Sequence, residues 1–298
     1  MPSREGNRAL SPGFGLALAV LAISWGSILV RLCDAPPLSI AFYRMALAAA
    51  LLAPFALRRL HFSSIPSSVL GRIVLAGAFL AVHFGAWIWS LDLTSIGSSV
   101  VLVSTQPLFS ALISGFALGE RAPAKVYVGI LIALTGTLLI SGADWGISLE
   151  RLLGDALAVV AAAAGAGCFV VGRSVRSHIP FVAYFFLLCA TAAALLAVAA
   201  LAARQPLTGF PVRDYLCLAA LAILPTLVGH GCLNWAVRHL RVYIVNLAAF
   251  GEPILATIYA WILFREPITP SLLAGGTMIA SGILFSLQSA KSSPAGSH

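Results

Sequence analysis

The stretch "YIVNLAAFGEPILATIYAWILF", residues 243–264, decides the fold. It is long and apolar enough for one α-helix to cross a membrane, which takes about twenty such residues. Yet Glu252 and Pro253 stand near its middle. A carboxylate is costly at that depth, and proline has no backbone N–H to give the helix.

The same kind of run recurs outward along the chain. Ten are present, at about 14–32, 38–57, 69–91, 95–118, 123–143, 153–172, 180–202, 214–237, 242–264 and 268–288, parted by short polar breaks. Alternation at period two is absent, so an outer-membrane barrel does not fit. Of the 298 residues, 60% are hydrophobic and 9% charged, and the mean hydropathy is +0.99. Soluble domains carry about 25% charged residues. The chain reads as an all-α integral membrane protein.

A net charge of +8 would point to nucleic acid in a soluble protein, but the placement of the charges accounts for it otherwise. With the N-terminus inside, the inner breaks take Arg4, Arg8, Arg58, Arg59, Arg72, Arg121, Lys125, Arg173, Arg176, Arg238, Arg241 and Lys291. The outer breaks take only Arg31, Arg151, Arg204, Arg213 and Arg265. That bias orients both termini toward the cytoplasm of a bacterial-type inner membrane and leaves no role for nucleic acid. The basic N-terminus resembles a signal peptide, but its run is too long and no small-residue cleavage site follows, so a retained first helix is expected. Cys33, Cys168, Cys189, Cys217 and Cys232 lack CxxC spacing, which indicates neither disulfides nor a metal. The tail from residue 291 to 298 is polar and is expected to be disordered.

Shifting the chain by 146 positions lays the fourth and fifth helices on the ninth and tenth. Pro107 meets Pro253, Glu120 meets Glu266, Gly129 meets Gly275, Gly136 meets Gly282, Trp89 meets Trp235 and Gln106 meets Glu252. A slightly smaller shift lays Pro37 on Pro180 and Arg31 on Arg173. The chain therefore divides into five-helix halves at 10–143 and 150–290. Five is odd, so the second half must enter the membrane from the opposite side. Inverted repeats of this kind are common in secondary transporters, with substrate bound between them at the midplane.

The segments "AISWGSILVR", "AFYRMALAAALLAPFAL", "TSIGSSVVLVSTQPLFSALISGFALGERAPAKVYVGILIALTGTLLISG" and "LAAFGEPILATIYAWILFREPITPSLLAGGTMIASGILF" resemble the EamA type of the drug/metabolite transporter superfamily. The resemblance runs through nearly the whole chain. It implies ten helices, inverted repeats and movement of small metabolites, often outward, with amino-acid exporters of the YddG type nearest in function. Substrate identity does not follow from these motifs.

Nine residues are candidates for a substrate cavity: Trp25, Tyr43, Arg44, His83, Trp87, Gln106, His230, Asn234 and Glu252. Glu252 faces either a wet cavity or, protonated, a neighbouring helix as glue. Pro253 is expected to leave the carbonyl of Ala249 free and to bend the helix. Gln106–Pro107 repeats the arrangement with an amide, on a stripe with Ser99, Val103 and Ser110 that either offers hydrogen bonds or packs. His83 and Trp87, four residues apart, are echoed by His230 and Asn234. A histidine at such depth is a protonatable group or a neutral interhelical bond. Trp25 lies too deep for an interfacial belt and lines a cavity or packs on Gly26. Beside Tyr43, Arg44 snorkels, pairs with Glu252 or attracts a substrate carboxylate, the ion pair being the simplest account. Glu120 and Glu266 precede helices five and ten and suit their N-termini.

No nucleophile elbow, Walker motif, HExxH or paired CxxC occurs, so neither an enzyme nor direct use of ATP is expected. Nor is a cofactor. The expectation is a monomeric, lipid-embedded secondary transporter that exports small organic metabolites, amino acids foremost, by alternating access. A channel-like facilitator is the alternative, and an intramembrane enzyme a weaker one.

Overall fold

A computed structural model describes residues 11–58, 65–94, 96–141, 148–265 and 270–291. Among them every regular element is helical. We number the segments α1 (Pro12–Arg31), α2 (Pro37–Leu57), α3 (Ser67–Leu93), α4 (Ile96–Val103 and Gln106–Ala117) and α5 (Ala124–Ser141). The second half holds α6 (Leu149–Val175), α7 (Phe181–Ala202), α8 (Val212–Ala236), α9 (Val242–Ala248 and Gly251–Phe264) and α10 (Pro270–Lys291). Seven of these, all but α4, α5 and α10, are long and apolar enough to cross a membrane; those three are apolar but shorter in their hydrophobic stretch.

The helix starts follow from local chemistry. Ser11 caps α1 by accepting from the N–H of Phe14, and Ser148 caps α6 by accepting from Arg151. Proline, whose missing donor costs nothing in a first turn, opens α1, α2 and α10. The outward faces carry Phe55, Phe116, Leu131, Val198, Leu201, Ile262 and Leu273 exposed, an apolar surface with lipid as its natural solvent. Where lipid surrounds the helices, close packing and not water exclusion holds them to one another.

Four antiparallel pairings join the halves. A Cβ at Gly129 of α5 would stand 2.6 Å from the carbonyl oxygen of Gly282 on α10, and one at Gly136 would stand 2.5 Å from that of Gly275. As one helix number rises the other falls, so α5 and α10 run in opposite directions with backbones in contact. α3 and α6 do the same: Gly154 meets Thr94, and Gly165 meets His83. The start of α2 meets the end of α7, where Leu38 N–H donates to Gln205 Oε1 (2.9 Å) and Ser39 Oγ to the carbonyl of Pro206 (2.6 Å). α1 and α8 cross antiparallel through Gly15 against Trp235 and Gly229 against Ile23.

Three helices are interrupted where the chain passes the middle of the bundle. α1 breaks at Ser24, whose hydroxyl donates to Val20 (2.7 Å). α4 breaks before Gln106–Pro107, and α9 before Glu252–Pro253. α8 instead widens into a π-helix over Ala222–His230.

Candidate functional site

The π-turn of α8 begins the site. Pro225 cannot donate to the carbonyl of Leu221, and the hydroxyl of Thr226 takes that place at 2.8 Å. The same hydroxyl accepts from Arg44 Nε on α2 at 2.7 Å. Arg44 is 1% exposed, its guanidinium lies over the Phe84 ring at 4.0 Å, and its Nη1 has no partner. A cation over an aromatic face in a dry site is a favourable contact. The direct partner of Arg44 Nε is thus a neutral acceptor supplied by the π-turn. No salt bridge joins Arg44 to Glu252, the partner expected for it, though both line one cavity and their charges attract.

Around Phe84 stand two more buried polar atoms without partners, Trp87 Nε1 and His230 Nδ1. The His230 ring is 5.0 Å from that of Phe84, and the Trp87 ring 6.5 Å. His83 Nδ1 bonds the carbonyl of Ala161 at 2.8 Å. Since a carbonyl only accepts, that nitrogen carries the proton. The ring fits there because Gly165 has no side chain: a Cβ would fall 2.7 Å from His83 Nδ1 and 2.4 Å from Gln106 Oε1.

The breaks in α4 and α9 are one device used twice. Thr105 N–H bonds Leu102, and Ala249, Phe250 and Glu252 N–H bond Asn246, Leu247 and Ala249, all three residues back. These tight turns bring the chain to Gln106–Pro107 and Glu252–Pro253, where new helices start. The carbonyl of Ala249 is thus occupied by Glu252 N–H at 2.9 Å, not left free as expected. Glu252 lies in the first turn of its new helix, where the helix dipole favours a carboxylate. Gln106 Nε2 donates to Asn246 Oδ1 (2.7 Å), and Asn246 Nδ2 to Ser110 Oγ (2.6 Å), which joins α4 to α9.

These groups line a cavity of about 100 Å³, partly open to the outside, walled also by Ile23, Phe169 and Phe250. Six of the nine expected residues line it: Arg44, His83, Trp87, Gln106, His230 and Glu252. Three do not. Trp25 stacks on Tyr259 with centroids 4.8 Å apart, because the break at Ser24 leaves Gly26 and Ser27 facing the cavity. Tyr43, next to Arg44 in α2, turns away from the cavity to the link after α7, where its hydroxyl donates to the carbonyl of Leu207 (2.6 Å). Asn234 is spent on the carbonyl of His230 (2.9 Å) and the hydroxyl of Tyr184 (3.4 Å). Of the expected stripe, Ser99 bonds Ser90 (2.6 Å) and Ser110 bonds Asn246, while Val103 and Gln106 face the cavity. Asn246 was missed, although an amide within the quoted apolar stretch signals it.

The halves are tied at both ends of the bundle. At one end Glu120 receives Arg173 (2.9 Å) and the backbone N–H of Val242 (3.3 Å), while Arg173 also bonds the carbonyl of Val237. Glu120 thus serves the N-terminus of α9, not that of α5 as expected; its partner in the repeat, Glu266, lies outside the described residues, as do residues 292–298 of the expected tail. Nearby, Arg176 packs between Phe181 and Tyr184, each ring 4.9 Å away, and burial pushes its guanidinium down to about 10. At the opposite end Arg213 faces Asp34 at 3.7 Å and donates to Leu32 (2.8 Å), and Asp34 N–H donates to Asp214 (3.3 Å).

Comparison with known proteins agrees with this architecture. A solved crystal structure superimposes with a TM-score of 0.77 at 21% identity, covering 94% of this chain and 97% of its own, which shows the fold. The chain is 25% identical to the pseudopaline exporter CntI of Pseudomonas aeruginosa, over 89% of this chain and 93% of the exporter. It is also 25% identical to a probable amino-acid metabolite efflux pump of Salmonella typhimurium, over 91% of this chain and 93% of the pump. An uncharacterized transporter of Archaeoglobus fulgidus is 25% identical over 91% and 94%. Two stretches, 13–142 and 152–288, each match the EamA-like transporter family, and with most of its length so matched the chain belongs to that family.

Proposed function

We propose that this membrane transporter is a secondary carrier that exports small organic metabolites, amino acids first among them, by alternating access. All ten segments cross the membrane in this reading, as two inverted five-helix halves with both termini in the cytoplasm. One observation carries it: a cavity lies between antiparallel halves, with Arg44, Trp87 and His230 each directing an unpartnered polar atom to its surroundings. Buried polar groups in proteins are normally satisfied. Among the described residues the unpartnered ones are these three and Arg176 Nε and Nη1, and three gathered around one cavity suit something that arrives and departs. The Glu120–Arg173 tie closes one end and the Asp34–Arg213 cluster the other, and alternate release of the two would expose the cavity to each side in turn. The names of the pseudopaline exporter and the amino-acid metabolite efflux pump support outward movement of amino-acid-like solutes.

The test is counterflow. Purified protein in proteoliposomes preloaded with an unlabelled amino acid should take up the labelled one transiently above equilibrium, saturably, and with no ATP. Flux that neither saturates nor shows counterflow would mean a channel-like facilitator.

A further inference from the structure

We propose that the cavity is a two-pole site: Arg44, Trp87 and His230 take a carboxylate at one wall, and Glu252 takes a cationic nitrogen at the other. The inference rests on the carrier reading and gives it a substrate chemistry. Phe84 is the hub of the first pole. Arg44 lies over its ring at 4.0 Å, and the rings of His230 and Trp87 stand 5.0 and 6.5 Å away. Each of the three presents a buried nitrogen that no group of the described protein satisfies. Arg44 cannot turn away, since its Nε is held by Thr226 and Thr226 by Leu221. A guanidinium pinned at Nε keeps its unpartnered Nη1 for a carboxylate oxygen.

The second pole follows from charge. Among the described lining residues Arg44 is the one fixed cation and Glu252 the one carboxylate; their charges attract across the cavity, but no hydrogen bond or salt bridge joins them. Glu252 is half-buried and opens to the cavity in the first turn of its helix. A net anion such as a phosphate monoester would meet Arg44 but oppose Glu252; a plain amine would do the reverse. A zwitterion answers both. The remaining walls, Phe84, Phe169, Phe250, Ile23 and Leu233, suit an apolar remainder.

The experiment compares phenylalanine with phenethylamine, 3-phenylpropionate and phenylalaninamide, which share the ring but lack one pole or mask it. Binding to the purified protein is read by thermal unfolding and competition, apart from any transport assay. Phenylalanine should bind at least tenfold more tightly than each of the others. Arg44→Gln should bring phenylalanine down to the level of phenethylamine and leave phenethylamine unchanged. Glu252→Gln should weaken phenylalanine and phenethylamine and leave 3-phenylpropionate unchanged. Trp87→Phe, which keeps the ring and removes only the N–H, should weaken carboxylates alone and serves if Arg44→Gln fails to fold. Equal binding of all four compounds, or equal weakening of all by Arg44→Gln, overturns the proposal. So does counterflow of other solutes with none of the four bound, an outcome that leaves the carrier reading standing. Binding with this pattern but no counterflow would instead sink the carrier reading and keep the two-pole site.

Discussion

Gly165→Ala tests how the cavity wall is set. The new methyl carbon would stand 2.4 Å from Gln106 Oε1 and 2.7 Å from His83 Nδ1, about 1.0 and 0.7 Å inside the 3.4 Å at which ordinary contact begins. Gln106 must retreat by about that first distance, and its 2.7 Å bond to Asn246 does not survive such a shift. His83 loses its hold on Ala161 by the same displacement. Leaving a buried polar group unsatisfied costs about 1–3 kcal/mol, while replacing a helical glycine by alanine returns about 0.5–1 kcal/mol. Gly71→Ala is the reference, because nothing lies within 4 Å of its added Cβ, so it receives the helix gain alone. Gly165→Ala should therefore unfold about 1–3 kcal/mol more easily than Gly71→Ala, read from denaturation of the purified protein in detergent. Its counterflow should also fall while that of Gly71→Ala is kept. Equal stability and equal flux in the two variants would refute the close approach of His83 and Gln106 to α6.

Three further outcomes are expected. Glu120→Ala removes a carboxylate that serves both Arg173 and the start of α9, and should cost about 1.5–3 kcal/mol. Asp34→Ala breaks a pair with Arg213 that is 3.7 Å long and 61% and 76% exposed, and should cost about 1 kcal/mol or less; the same unfolding measurement ranks the two, and a reversed order would sink the assignment of Glu120 as the stronger tie. Cys33, in the short link between α1 and α2, has its thiol pushed up by burial to about 11. As the only cysteine left, it should react with N-ethylmaleimide near neutral pH about a hundredfold more slowly than a free thiol of pKa about 8.5, gaining roughly tenfold per pH unit up to that value; a rate equal to free cysteine near pH 7 would contradict the burial. Reporter fusions at the C-terminus should show it cytoplasmic, and a periplasmic signal would end the even count of crossings.

Helix positions were readable because lipid admits so few alternatives: a long apolar run must satisfy its own backbone. The repeat was readable because proline, glycine and glutamate aligned at fixed separation. Which way each helix turns was not. His83 and Gln106 reach the cavity through the gap at Gly165, a contact between residues far apart in sequence. Trp25 misses it because one break at Ser24 rotates the second segment of α1 against the first, and nothing in "AISWGS" announces that break. The partner of Arg44 depended on a π-turn whose cause, Pro225–Thr226, is visible in the sequence only once the donor missing from Leu221 is counted.

The glycine contact between α5 and α10 has a consequence for how such a chain can arise and change. Gly129 faces Gly282 and Gly136 faces Gly275, and the 146-residue shift carries Gly129 to Gly275 and Gly136 to Gly282. Each glycine therefore meets the counterpart of the other, so the surface is self-complementary in the manner of a twofold dimer. A single five-helix half already holds the whole instruction for this contact, and honours it only with a copy inserted upside down. Joining two copies in one polypeptide adds nothing to the contact; it guarantees one of each orientation in every molecule. The freedom gained lies elsewhere. Once both orientations are always present, the two linings no longer need to match, and one half keeps Gln106 where the other carries Glu252. The seam must stay alike in both halves, while the cavity is free to become two-sided.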